Sequence, residues 1–256
     1  MSEKMYHIGL CSEDIKEARY AIIAGDPGRI SAIASYFEDA KPLATNREYT
    51  SWIGKLKGES VVAISHGIGG PSTAICVEEL HQLGVNTVIR IGTSGGMNLD
   101  VLAGDVVIAD GAIRAEGTSR EYLPIEYPAI ADFDVTLALK TAAEQLGVRN
   151  HLGVVQCKDS FYGQHSPERM PVADDLLYKW NAWIKGGALA SEMETATLFI
   201  VGSCLRMRTG GVLLCVWNQE REKAGLANRA EDQVHDTDSA IKIAVRATEI
   251  LISQRG

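Results

Sequence analysis

Six short, largely apolar runs most constrain how this chain can fold: Tyr20–Ala24, Ser60–Ser65, Val85–Ile91, Asp105–Ala109, Leu152–Cys157 and Gly211–Trp217. Each is too brief for a core helix and lacks the strict alternation of a half-wet strand, so each reads as a strand covered on both faces. Segments of helical period lie between them. Ile30–Phe37 aligns Ile30, Ile33, Ala34 and Phe37 on one side, and Thr73–Leu83 aligns Ala74, Val77, Leu80 and Leu83. Gly84 closes the second, and Gly147 closes Val135–Leu146. Met193–Leu205 and Asp236–Ile252 read as two more helices. The alternation predicts an α/β fold, a largely parallel sheet with helices on both faces. No repeat, low-complexity tract or Pro/Ser linker interrupts it, so residues 1–256 read as a single domain. Gly117–Ala131, Gln164–Ala173 and Gln219–Asp232 read as irregular loops, the segments on which binding residues often sit.

A formal charge of -8 argues against a nucleic-acid or membrane-surface partner. An anionic ligand would need a local positive pocket in an acidic body. The five cysteines, Cys11, Cys76, Cys157, Cys204 and Cys215, are scattered and form no CxxC pair, which suits buried free thiols in a reducing compartment. Met1-Ser2-Glu3-Lys4 starts no signal peptide, and no apolar run approaches the roughly 18 residues of a membrane span. The cytoplasm is the expected location. His66, His81, His151, His165 and His235 show no metal-ligand spacing.

Chemistry-bearing residues cluster where apolar runs end. In Gly25-Asp26-Pro27-Gly28-Arg29, Asp26 can cap a helix, Gly25 and Gly28 admit an anion close to the backbone, and Arg29 offers a planar fork to two phosphate oxygens. A plain strand–turn–helix joint with a surface arginine explains the same residues. Arg90 lies inside an otherwise buried strand and needs a partner, either an anionic ligand or an internal carboxylate. Thr93, just past that strand's carboxyl end, adds a hydroxyl at the edge where open α/β sheets bind ligands. Gly92-Thr93-Ser94-Gly95-Gly96 also fits G-x-S-x-G, but that nucleophile elbow needs a helix directly afterwards and little room is left for one.

Glu192 and Glu194 stand at a predicted helix start. They either cap it or, in the case of Glu194, hold two vicinal sugar hydroxyls. Phe161 can cover a planar base, while Gln164 and Arg169 can bond its edge.

These segments, with His7-Ile8-Gly9-Leu10, Asn46-Arg47-Glu48-Tyr49-Thr50, Gly67-Ile68-Gly69-Gly70-Pro71-Ser72-Thr73 and Asp159-Ser160-Phe161-Tyr162, resemble the nucleoside phosphorylase I superfamily in order and spacing over nearly the whole chain. The resemblance implies a twisted mixed sheet flanked by helices. It implies phosphorolysis of uridine, or 2′-deoxyuridine, with inorganic phosphate and no required cofactor. Phosphate would be held by Gly25, Arg29, Arg90 and Thr93, with Arg47 reaching in from a neighbouring subunit of a dimer or hexamer. His7 would cross the same interface toward the ribose, which Met193 and Glu194 hold. Phe161, Gln164 and Arg169 would hold uracil, and Glu48, Ile68 and Ser72 match a site for K+. Two departures stand out. Gln164 and Arg169 are separated by His165-Ser166-Pro167-Glu168, whereas relatives carry the two base contacts two residues apart. Asn218-Gln219 stands where relatives commonly have Asn-Arg, leaving Arg221 as a substitute. Purine phosphorylases of the superfamily use an aspartate after the penultimate strand, and Val216-Trp217-Asn218 has none. A purine phosphorylase and a non-catalytic nucleoside sensor remain the alternatives.

Overall fold

A computed structural model of the chain describes residues 3–227 and 236–254. Its ten strands are β1 (Tyr20–Ala24), β2 (Glu38–Asn46), β3 (Tyr49–Leu56), β4 (Glu59–Ser65), β5 (Thr87–Gly96), β6 (Val106–Ala115), β7 (Ala129–Ile130), β8 (Asn150–Lys158), β9 (Ala190–Glu192) and β10 (Arg208–Trp217). They form one sheet in the order β10-β6-β8-β9-β5-β1-β4-β3-β2, with β7 on β6. β10 also pairs with β5, so β5, β10, β6, β8 and β9 close into a ring from which β1 to β4 extend. Among the described residues, five strand pairings are parallel and five antiparallel. The sheet is therefore mixed, as the resemblance implies, and less parallel than the apolar runs alone predict. Much of the difference is β2–β3–β4. Exposed β2 carries charge and no apolar run, as an edge strand must.

The reason the inner strands read as unbroken apolar runs is visible in β1. Ala21 and Ile23 face one core with Val77, Leu80 and Phe199. Tyr20, Ile22 and Ala24 face a second with Ile33, Leu139 and Ile243. Helices Gly70–Gln82 and Thr195–Cys204 cover the first core, and Phe133–Gln145 and Asp238–Ser253 the second. Gly84 (φ 103°) and Gly147 (φ 65°) follow two of these helices in the left-handed conformation that L side chains avoid. The Thr195–Cys204 helix is buried on nearly all sides, from Thr195 to Gly202.

Several expected boundaries shift. The Ile30–Phe37 segment is helical only to Ala34. Gly117–Ala131 is not irregular: it contains the helix Thr118–Tyr122 and β7. The buried Arg114 guanidinium organises it, donating to the carbonyls of Ser119, Leu123, Pro124 and Tyr127 at 2.5–2.8 Å. Gln164–Ala173 contains a 3-10 turn at Pro167–Arg169, and Gln219–Lys223 is helical. The rest of the third expected loop, and His235, lie partly or wholly outside the described residues. Ala173–Lys185, assigned no element by the sequence, is a helix.

Candidate active site

The carboxyl ends of β1, β5 and β8, together with the short β9, open into one cleft of about 870 Å³. β9 lies between β8 and the end of β5, with Gln156 beside Ser191 and Ser191 beside Gly95. β1 flanks β5 on the other side. Three inter-strand spacings, about 14 Å, separate β1 from β8. That span is comparable with an anion, a sugar and a base lying side by side.

At the β1 end, Asp26 Oδ1 accepts a 2.8 Å bond from Gly28 N and caps the Pro27–Arg29 turn. Arg29 lines the cleft. Burial pulls its pKa down, Asp26 opposes this, and the nearby Arg90 charge adds to the lowering. Two guanidinium groups that repel across a cleft create a place for an anion. Thr93 also lines the cleft, but within β5, not beyond it. The strand runs on to Gly96, so no helix follows Ser94 and the nucleophile-elbow reading fails.

Arg90 is 3% exposed and does have internal partners. Its Nη1 lies 3.0 Å from Glu192 Oε2, and its Nη2 bonds the Glu194 carboxylate. Burial disfavours its charge, but Glu194 and Glu192 outweigh that and raise its pKa. Gly92 makes room for this guanidinium, because a Cβ there would lie 2.5 Å from Nη1.

The two glutamates divide the roles that the sequence leaves open. Glu192 caps the Thr195–Cys204 helix, accepting from Glu194 N at 2.9 Å and from Thr195 N at 2.9 and 3.1 Å. Glu194 occupies the N-cap position but makes no side-chain capping bond. Its Oε1 instead accepts from Gly69 N at 2.7 Å. Burial alone would raise the Glu194 pKa, yet Arg90 and the Gly69 N–H hold it below the usual carboxylate range. An ionised carboxylate has lone pairs to spare for hydroxyls entering the cleft. Met193 lies beside it in the lining.

At the β8 end, Phe161 is half-exposed and stacks on His165 with ring centroids 4.3 Å apart. Gln164 Oε1 lies 2.6 Å from Ser191 Oγ, and Gln156 Oε1 lies 2.5 Å from the same hydroxyl. One hydroxyl proton serves only one of these oxygens, so the other glutamine presents its NH₂ to Ser191. The sequence reading missed Lys158, Ser191, His165 and Gln219, which also line the cleft. A signal for Lys158 existed: it ends β8 one residue beyond an apolar run.

Four expected residues lie elsewhere in this chain. Arg169 does not line the cleft; its guanidinium sits 5.6 Å from the Tyr162 ring centroid. The bend through Ser166 and the 3-10 turn turns it outward. Arg221 bonds the carbonyls of Leu99 and Ala227. His7 Nδ1 lies 2.6 Å from Glu79 Oε1, and Arg47, at φ 55°, stands over the Tyr6 ring at 5.8 Å. Asn46 bonds the Tyr6 and His7 carbonyls, so Arg47 and His7 lie near one another, outside the cleft lining. Glu48 and Ile68 edge the cleft, and Ser72 Oγ donates to Glu48 Oε1 at 2.5 Å. Among the described residues, no group of three or more His, Cys, Asp or Glu is arranged for a metal.

The profile of the phosphorylase superfamily matches residues 19–253. A uridine phosphorylase of Treponema pallidum is 58% identical over 250 residues, covering 97% of this chain and 95% of the relative. The Escherichia coli uridine phosphorylase is 37% identical over 251 residues, with 97% and 98% covered. A guanosine phosphorylase of Halorubrum lacusprofundi is 36% identical over 255 residues, with 97% and 99% covered. At that distance, overall identity does not separate one base from another.

Proposed function

Because this chain belongs to the phosphorylase superfamily, we propose that it catalyses the phosphorolysis of uridine to uracil and ribose 1-phosphate, in pyrimidine nucleoside salvage. The observation that carries this reading is the meeting in one cleft of Arg29 and Arg90 with Glu194, a buried carboxylate that the helix end does not use. Arg29, Thr93 and the Gly25 backbone receive phosphate, and Arg90 stands between phosphate and sugar. Glu194 accepts from the ribose hydroxyls, and its charge favours the cation that develops on the ring as the glycosidic bond stretches. Met193 packs on the sugar, and Phe161 and Gln164 meet the base. The phosphate is itself the nucleophile, so the chain's task is orientation and electrostatics.

A pyrimidine is favoured over a purine by Asn218. A purine leaving group calls for a proton donor after β10. Asn218 is fully buried, and its amide is committed to Asn98 O, Val101 O, Glu220 N and Arg221 N. The test is a nucleoside panel assayed for free base with and without phosphate. Phosphate-dependent uracil release is expected, and inosine cleaved faster than uridine would overturn the base assignment.

Self-association completes the site in this reading, with Arg47 and His7 entering a partner's cleft. Neither residue lines its own cleft, and both are held together beside its Glu48 edge, which supports it. Mixing Arg47→Ala and Arg90→Ala chains, each inactive alone, should restore activity in hybrid oligomers. Glu48, Ser72 and the Ile68 backbone offer only oxygen donors, a set that fits K+ at that interface. The five cysteines are free, which suits a reducing cytoplasm.

A further inference from the structure

We propose that Glu79 is the positioning residue for His7: its carboxylate shapes and aims the histidine that one chain lends to the ribose 5′-hydroxyl in its partner's cleft. This rests on the shared-site reading above. Glu79 lies in the Gly70–Gln82 helix and is 8% exposed. Among the described residues, no arginine or lysine pairs with it. Its two oxygens face one short stretch of chain instead. They accept from Ile8 N at 2.8 Å and from His7 N at 3.1 Å, and His7 Nδ1 lies 2.6 Å from Oε1.

An N-terminal segment is ordinarily loose unless something ties it down. Here the ties converge on His7. Ile8 and Leu10 are fully buried on either side of Gly9, whose φ of 67° turns the chain so that Gly9 N meets Met5 O at 3.1 Å. Asn46 Nδ2 donates to His7 O at 2.8 Å, and the Tyr6 ring stands edge-on to the imidazole with centroids 4.8 Å apart. These contacts hold the backbone and one side of the ring. Among the described residues, Glu79 alone hydrogen-bonds the ring itself.

The same bond sets the tautomer. A carboxylate that accepts from two backbone N–H groups accepts from the ring as well, so Nδ1 carries the proton. Nε2, on the far side of the ring, is left for a hydroxyl. His7 does not line its own cleft, so that hydroxyl belongs to a ligand of another chain. The helix that carries Glu79 begins beside Gly69, whose N–H holds Glu194 in the chain's own cleft, roughly 14 Å away along the axis. One helix thus sets a ribose contact in its own cleft and aims a second at the partner's.

The test compares uridine with 5′-deoxyuridine, which lacks the one oxygen that His7 would meet. Wild type should turn over uridine with phosphate and prefer it by about tenfold or more in kcat/KM. His7→Ala should level the two substrates. No preference in wild type, or one that survives His7→Ala, would sink the shared-site reading and this proposal with it. Glu79→Ala should level them too, with little loss on 5′-deoxyuridine, and the double variant should be no flatter than His7→Ala alone. Glu79→Gln keeps an acceptor for the backbone and a polar partner for the ring, and should recover part of the preference. Mixed with an excess of Arg90→Ala chains, which carry an intact His7 and Glu79, Glu79→Ala chains should regain the preference in hybrid oligomers. A preference lost in His7→Ala but kept in Glu79→Ala would overturn the proposal and leave the shared site standing. Equal losses on both nucleosides in Glu79→Ala, a preference that stays lost in the hybrids, or failure of both Glu79 variants to fold would overturn it as well.

Discussion

His66 Nε2 accepts a 3.3 Å hydrogen bond from Arg90 Nε, and this fixes the protonation of a fully buried imidazole. With Nε2 accepting, Nδ1 carries the proton and meets Thr73 Oγ1 at 3.1 Å. Thr73 Oγ1 donates to Gly69 O at 3.0 Å, Gly69 N donates to Glu194, and Glu194 returns to Arg90. The ring of bonds closes on the two residues assigned to phosphate and ribose. His66 thus holds the guanidinium from outside the cleft lining.

Acid should expose this arrangement. Burial, with the Arg90 charge adding to it, pushes the His66 pKa from 6.5 down to about 3. The unfolded chain takes up a proton that the folded chain refuses, so stability falls as pH drops from about 6.5 toward 3, by up to about 1.4 kcal/mol per unit. Above that window this group contributes no slope. Urea unfolding from about pH 7 to 4.5 should show a shallower acid dependence for His66→Leu than for wild type. The variant should also lose about tenfold in kcat/KM from a loosened Arg90. Identical slopes would remove His66 from the account.

The glutamate pair should separate by phenotype. Glu192→Ala removes the helix cap and one partner of a buried arginine, a loss of about 3–5 kcal/mol in stability. Glu194→Gln keeps an acceptor for Gly69 N but loses the charge opposite Arg90 and the ribose. It should retain more of the melting temperature while losing at least about 100-fold in kcat/KM. Thermal melts beside uridine kinetics decide it; matched stability losses would mean that Glu194 too is chiefly structural.

That division marks how far the sequence could be read. Tyr20–Ala24 is a strand to the residue, because both its faces are buried and the apolar run says so. Val85–Ile91 instead extends to Gly96, since Gly92 to Gly96 carry no apolar signal yet pair with β10 and β9. The Ala173–Lys185 helix carries Leu176, Leu177, Trp180, Trp183 and Ile184 at helical spacing, so a signal was present there although only Trp180 is buried. Arg29, Arg90 and Glu194 were legible as a charge in a strand and charges at element ends. Which glutamate caps depends on the path of three backbone residues, and the outward course of Arg169 on one bend. Neither is encoded in residue type.

Gly92 offers a steric test of the Arg90 position. An alanine Cβ would meet Arg90 Nη1 at 2.5 Å and Leu213 Cδ2 at 2.7 Å, closer than such atoms approach. The strand is held by pairing on both sides, so the guanidinium is what moves. Gly92→Ala should fold, with an unchanged circular dichroism spectrum, and raise the KM for phosphate by about tenfold or more. A wild-type phosphate KM in a folded variant would show that Arg90 need not stand where it does.

Arg29 should report on anion binding without any turnover. It is a partly exposed cation whose charge is disfavoured by burial and by Arg90, so an anion in the cleft relieves both. A ligand that binds only the folded state adds about 2.7 kcal/mol at 100 times its Kd. Phosphate and sulfate should therefore raise the melting temperature by several degrees, and chloride at equal ionic strength should not. Arg29→Ala keeps Arg90 and its glutamates but removes the opposing fork, so the shift should shrink by more than half. If the variant responds to phosphate as wild type does, the anion sits elsewhere and Arg29 belongs to the surface.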